Sequence, residues 1–254
     1  MNFKKGDFLK IKLIISYDGT NYCGWQVQKN APSIQQTLQD TIETVFGKRY
    51  ALTGCSRTDS GVHARAFCCT VDTNGDSISI PCDKIPFALN SRLPEDIAVK
   101  SAEFVDSKFH PRYDVKHKEY QYLIWNSPIR NVFLKDKIFN YPTPLNTDVM
   151  DCAAKKFVGQ FDFSAFMSSG SAVENTVREI KYFNVKRDGY QVVITVAADG
   201  FLYNMVRILT GTLIDVSNGK IAVEDIPKII EKKERKLAGF TAPPQGLYLN
   251  KVIY

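Results

Sequence analysis

No apolar run in the 254-residue sequence approaches the eighteen or more residues that a membrane-spanning helix needs; the longest, at 11–17 and 192–198, fall well short. A bilayer-crossing protein is therefore not expected. Histidine is scarce, three in all, and the six cysteines (Cys23, Cys55, Cys68, Cys69, Cys82, Cys152) form no C-x-x-C pair. The donor set of a zinc site is missing, and reduced, mostly buried thiols are expected. Short-period repeats and low-complexity tracts are lacking too, which excludes collagen-like and disordered classes. The first ten residues, MNFKKGDFLK, hold lysines but no apolar block followed by a small-residue cleavage site, so no secretory signal is read and the cytosol is the expected compartment.

What is present is ordinary for a folded chain, with 44% apolar and 24% charged residues. At this length one large domain or two closely joined ones can bury a sizeable core unaided. Thirty-three basic against 27 acidic side chains leave a net charge of +6. That excess decides little alone, and gains meaning where cations gather around a cleft that also holds aromatic rings, because such a cleft attracts phosphates and stacks bases.

Residues 10–17 alternate apolar and polar before Asp18 and Gly19, the pattern of a half-buried strand ending in a turn. Ser33 is a good helix cap, and Ile34, Leu38, Ile42, Val45 and Phe46 recur at helical spacing until Gly47. Strands are expected near 49–54, 65–72, 97–105 and 114–125, with a helix near 83–90. A second run follows with a similar rhythm: a helix near 147–158, strands at 177–186 and 190–198 meeting at Asp188 and Gly189, helices near 203–217 and 223–232, and a strand near 247–253. The pattern predicts an α+β fold of two similar halves with largely antiparallel sheets, 1–140 and 141–254, tightly joined at the proline-bearing segment 140–146.

The densest chemistry lies in GCSRTDSGVHA at 54–64. Two glycines bracket a loop that displays Arg57 and Asp59, as catalytic groups often are displayed, although a capped turn with a surface ion pair has the same local pattern. Asp59, Ser60 and Gly61 also match the triplet of aspartic proteases, but those need two such carboxylates sharing a proton and only one copy is present. The run DTNGD at 72–76 begins like a calcium loop, yet Ser77 stands where the glycine belongs and Asp83 where the glutamate belongs, so a hairpin turn explains it better.

The string R-T-D-x-G-V-H at 57–63 resembles the catalytic loop of the tRNA pseudouridine synthase A family. Four further segments resemble that family in order: YDGTNYCGWQ at 17–26, FHPR at 109–112 with KEYQY at 118–122, FLYNMVR at 201–207, and APPQGLYL at 242–249. The resemblance implies a pseudouridine synthase fold with a central RNA-binding cleft. It implies a reaction in which a uridine within RNA is detached from its ribose, rotated and rejoined through carbon 5, with no metal or organic cofactor.

By the same resemblance Asp59 is the nucleophile, a role that suits a carboxylate because it can form and later release a covalent adduct. Arg207 resembles the arginine that pairs with that aspartate and favours its ionised form. Tyr120 is similar to the tyrosine that stacks on the flipped uracil, and Leu247 to the aliphatic residue packed against it. The target base must be extruded, and Arg57 is placed to fill the vacated space or hold the backbone. Arg65, Arg112, Lys116 and Lys118 are candidates for phosphate contacts, each of which also reads as a solvated surface charge. The mixed run at 231–236 is read as an exposed helix end without an RNA role.

Typical members carry G-A-G-R-T-D-A-G-V-H, whereas Cys55, Ser56 and Ser60 stand here around the same core, as in divergent second copies found in some bacteria. The expected substrate is tRNA at positions 38 to 40 of the anticodon stem-loop, bound by a homodimer. Ribosomal RNA is the alternative substrate, and a non-catalytic RNA-binding or chaperone protein the alternative class.

Overall fold

The computed structural model describes residues 9–170 and 173–254, so the reading of the leader at 1–8 lies outside the described residues. Two compact units form: one runs to Lys116 and takes in Leu249–Tyr254, the other spans His117–Tyr248. Each has mostly antiparallel strands with helices, and the fold is α+β as expected.

In the first unit, strand β1 (Leu9–Tyr17) buries Ile11, Leu13, Ile15 and Tyr17, every second residue, as a strand with one face on a core must. Helix α1 (Ile34–Phe46) starts where Ser33 Oγ accepts the Gln36 N–H at 3.3 Å, and stops at Gly47, whose φ is 73°. Strand β2 (Ala51–Gly54) pairs with β3 (His63–Asp72), and β1 lies between β3 and β4 (Ile97–Asp106), all antiparallel. The helix expected at 83–90 is a 3-10 turn at Cys82–Lys84 running into α2 (Ile85–Asn90). The DTNGD run is a tight turn after β3, in which Asn74 N–H donates to Asp72 Oδ1 at 3.1 Å and Asp76 N–H to Thr73 O at 2.9 Å.

The second unit contains β5 (His117–Trp125), β6 (Phe139–Asn140), α3 (Thr147–Lys155), β7 (Gly159–Asp162), β8 (Val177–Asp188), β9 (Gln191–Ala198), α4 (Met205–Ser217) and α5 (Ile226–Lys232). Its sheet runs β7, β8, β9, β5, antiparallel throughout, with β6 parallel beside β5. The β8–β9 hairpin turns through Gly189 and Tyr190, with Asp188 paired to Gln191. Phe157 packs edge-on to Phe166 at 5.1 Å and against Phe183 at 5.9 Å in the core. Strand β10 (Leu247–Ile253) begins in the second unit and passes into the first at Leu249.

The junction expected at 140–146 falls inside the second unit. Asn126 fixes that segment: its Nδ2 donates to Tyr141 O at 2.9 Å and Thr143 O at 2.7 Å, and its Oδ1 accepts the Leu145 N–H at 3.0 Å. Side-chain hydrogen bonds of this kind satisfy a strandless backbone, so its two prolines mark a stiff connector rather than a boundary.

Candidate active site

Asp59 sits half-buried on the loop between β2 and β3. The residue before it is held from both sides. Thr58 is buried, its Oγ1 lies 2.8 Å from the Tyr17 hydroxyl, and its carbonyl accepts the Trp25 N–H at 3.1 Å. Gly61 N–H donates to Tyr22 O at 3.2 Å, and Ser60 Oγ to the same carbonyl at 3.3 Å. His63, buried at the head of β3, accepts the Gly19 N–H on Nδ1 at 3.1 Å and lies 3.0 Å from Asp18 Oδ1. Trp25 stacks on Phe67 at 4.2 Å beneath this frame. Gly24 has φ 90°, and a Cβ there would meet Thr58 O at 2.3 Å, so only glycine lets the two backbones approach this closely. Segment 17–25 therefore acts as a rigid bracket for the Asp59 loop, while Arg57 stays exposed two residues away.

In the second unit Arg207 projects from the first turn of α4, most of which is buried. Its Nε donates to Ala242 O at 2.7 Å and its Nη1 to Asn204 Oδ1 at 2.7 Å. Tyr122 lies near: its hydroxyl donates to Pro243 O at 2.7 Å, and burial pushes its phenol far above the usual range while the Arg207 charge pulls the other way. A lysine at 207 keeps the charge but not two donors in fixed directions. For Arg207→Lys we expect about a tenfold loss of turnover and about 1 kcal/mol of stability, read by a rate assay and by urea denaturation.

The backbone that receives Arg207 is itself fixed. A Cβ at Gly211 would stand 1.8 Å from Phe240 O, which shows how closely the 239–242 segment lies on α4. Arg235 donates to Ala238 O at 3.3 Å, to Gly239 O at 2.9 Å and to Thr241 Oγ1 at 3.2 Å, and burial holds its guanidinium below its ordinary range. One residue of the charge run read as an exposed helix end is thus a structural cation. Its signal, an arginine three residues before an Ala-Gly pair, is too weak to read from sequence. Arg235→Ala should cost about 2 kcal/mol by leaving part-buried carbonyls unsatisfied, a loss checked by equilibrium unfolding.

Tyr120 is buried on β5 opposite Val196, its ring edge-on to Phe201 at 5.0 Å. Leu247 is buried where β10 begins. The same unit thus holds Tyr120, Arg207 and Leu247, and the first unit holds Arg57 and Asp59. Of the cations expected at phosphates, Arg65, Arg112 and Lys116 are exposed in the first unit, Arg65 reaching Asn250 Oδ1 at 3.3 Å. Lys118 is buried on β5. Its neighbour Glu119 accepts a hydrogen bond from Tyr182, whose phenol is pushed up to about 12 by burial and by that carboxylate.

The profile of the tRNA pseudouridine synthase family matches residues 13–114 and 153–254, spanning the Asp59 loop and the Arg207 helix alike. The chain belongs to this family. It is similar to the tRNA pseudouridine synthase A of Acetivibrio thermocellus, 47% identical over 244 residues that cover 96% of this chain and 99% of that one. The proteins of the same name from Thermoanaerobacter pseudethanolicus, 44% identical, and Ruminiclostridium cellulolyticum, 45% identical, are covered to the same extent.

Proposed function

We propose that the chain isomerises uridine to pseudouridine in tRNA, at positions 38 to 40 of the anticodon stem-loop, with Asp59 as nucleophile. The observation that carries this reading is the match to the family along both units, together with a carboxylate displayed on a loop whose neighbours are pinned by Tyr17, Tyr22 and Trp25. In the reaction the bond from ribose C1′ to N1 breaks, a bond from C1′ to C5 forms, and the C5 proton is lost as N1 gains one, so atoms balance without a co-reactant. The Asp59 carboxylate forms and releases the transient adduct.

The remaining residues serve extrusion and recognition. Unstacking a base costs a few kcal/mol, which stacking and phosphate contacts must offset. Tyr120 and Leu247 flank the flipped uracil, Arg207 keeps the aspartate ionised, and Arg57 holds the opened RNA. Arg65, Arg112 and Lys116, all exposed, meet phosphates, and the working form is a homodimer. Of the substituted residues, Cys55 is buried, while Ser56 and Ser60 reach the surface and favour a second reading, ribosomal RNA as substrate, because they alter how closely RNA approaches the nucleophile.

The test is to incubate purified protein with unmodified tRNA and with unmodified ribosomal RNA and to map pseudouridine at nucleotide resolution. New sites at tRNA positions 38 to 40 are expected. Sites only in ribosomal RNA would move the substrate, and none in either RNA would leave an RNA-binding protein without catalysis.

A further inference from the structure

The segment 109–116, which follows β4, is fixed within the first unit from several sides. Phe109 N–H donates to Asp106 O at 3.0 Å, Lys10 Nζ donates to Phe109 O at 3.2 Å, and the Phe109 ring meets Tyr254 at 5.0 Å. The Tyr254 hydroxyl donates to Pro111 O at 2.7 Å. Asp114 closes a turn, accepting the His110 N–H on Oδ2 at 2.9 Å and returning its own N–H to His110 O at 3.1 Å. His110 Nδ1 then accepts the N–H groups of Arg112 at 3.1 Å and Tyr113 at 3.3 Å, which locks the imidazole in place.

On that locked imidazole lies the ring of Tyr113, 4.2 Å between centroids and 30° from parallel. Tyr113 is 75% exposed, a large ring backed on one face and belonging to no core. The Arg112 guanidinium lies 6.0 Å from its centroid, and Lys108, Arg112 and Lys116 are all exposed. The two carboxylates among them, Asp106 and Asp114, each accept a backbone N–H.

We propose that Tyr113 is a stacking platform for an unpaired base of the RNA substrate other than the reacting uridine, with His110 as its backing and Arg112 and Lys116 on the flanking phosphates. The inference rests on the RNA-modifying reading of the Asp59 loop. Every base has a π-face, so an exposed aromatic ring offers a sequence-tolerant contact, and neighbouring cations add the electrostatic attraction that RNA binding requires. A ring already held on its inner face loses little freedom when a base lands on its outer one. A protein partner would instead be met by contiguous apolar surface, whereas the neighbours of this ring in the chain are charged.

The experiment measures Kd by fluorescence anisotropy with an unmodified tRNA transcript, and KM from pseudouridine formation, for the wild type, Tyr113→Ala, Tyr113→Phe and Tyr113→Trp. With alanine, Kd and KM should rise together by about tenfold, the scale of one lost base stack, and the two aromatic variants should return both to within about twofold of wild type. An unchanged Kd for Tyr113→Ala, a loss confined to kcat, or failure of both aromatic variants to restore binding overturns the proposal. A changed oligomeric state with Kd unchanged overturns it as well, assigning the ring to a protein contact. If the wild type forms no pseudouridine while Tyr113→Ala still weakens binding, the platform stands and the isomerase reading falls.

Discussion

Asp59→Ala is expected to abolish isomerisation, a loss of at least about 10,000-fold, while folding and RNA binding stay nearly as in the wild type. The size of the effect follows from the chemistry, since no other acidic residue of the 55–62 loop can take the place of a lost nucleophile. The small effect on folding follows from the frame. Thr58, Gly61 and Ser60 are held through their own hydrogen bonds to Tyr17, Trp25 and Tyr22, none of which uses the Asp59 side chain. Single-turnover assays with excess enzyme, run beside thermal unfolding and anisotropy, separate these terms. Measurable turnover by the alanine variant would remove Asp59 from the nucleophile role, and a collapse of the unfolding midpoint would show that the carboxylate supports the loop.

Gly24→Ala should damage stability and rate together although it touches no reacting group. Two costs combine. At φ 90° an alanine is strained by 1 to 2 kcal/mol or about that, and its Cβ would press on Thr58 O from 2.3 Å, a backbone atom that can yield only by moving the loop. We expect about 3 kcal/mol of lost stability by urea denaturation. The loop relieves the contact by shifting away from segment 17–25, and a displacement of about 1 Å at Asp59 is enough for roughly a hundredfold loss of rate. Wild-type kinetics in a destabilised Gly24→Ala protein would mean that Asp59 is positioned independently of this bracket. Tyr17→Phe offers a milder comparison, because it removes the hydroxyl contact with Thr58 and keeps the ring against Phe67.

Much of the fold could be read from local signals. Ser33 and Gly47 end α1 where their chemistry places them, and Gly189 turns the hairpin, with Tyr190 in place of Asp188 as its other turn residue, because capping and turn residues act over a few positions. What could not be read depends on partners far along the chain. Nothing near Thr58 announces that Tyr17 meets its hydroxyl or that Trp25 binds its carbonyl. Arg235 looks like one more solvated cation until the fold brings carbonyls of 238 and 239 to it. Lys118 was a candidate for the surface because lysine usually is, yet its place on β5 buries it. The proline pair at 140–146 suggested a boundary because composition cannot show that Asn126 holds the segment inside a unit. The Asp59 loop was legible for a different reason: its residue types are dense and chemically unusual together, whereas the bracket around it consists of common aromatic residues and glycines.

The passage of β10 from one unit to the other bears on how the chain comes off the ribosome. The unit that carries Asp59 is not continuous in sequence: Ile253 O receives the Lys116 N–H, and Tyr254 packs on Phe109 and bonds Pro111, across more than half of the chain. The 132 residues of His117–Tyr248 emerge in between, and domains tend to fold as units during synthesis. The second unit can therefore assemble first, while the nascent first unit waits for Leu249–Tyr254 to complete it. Translation thus leaves the segment bearing Phe109, His110 and Tyr113 without these contacts until Leu249–Tyr254 has emerged, long after the segment itself.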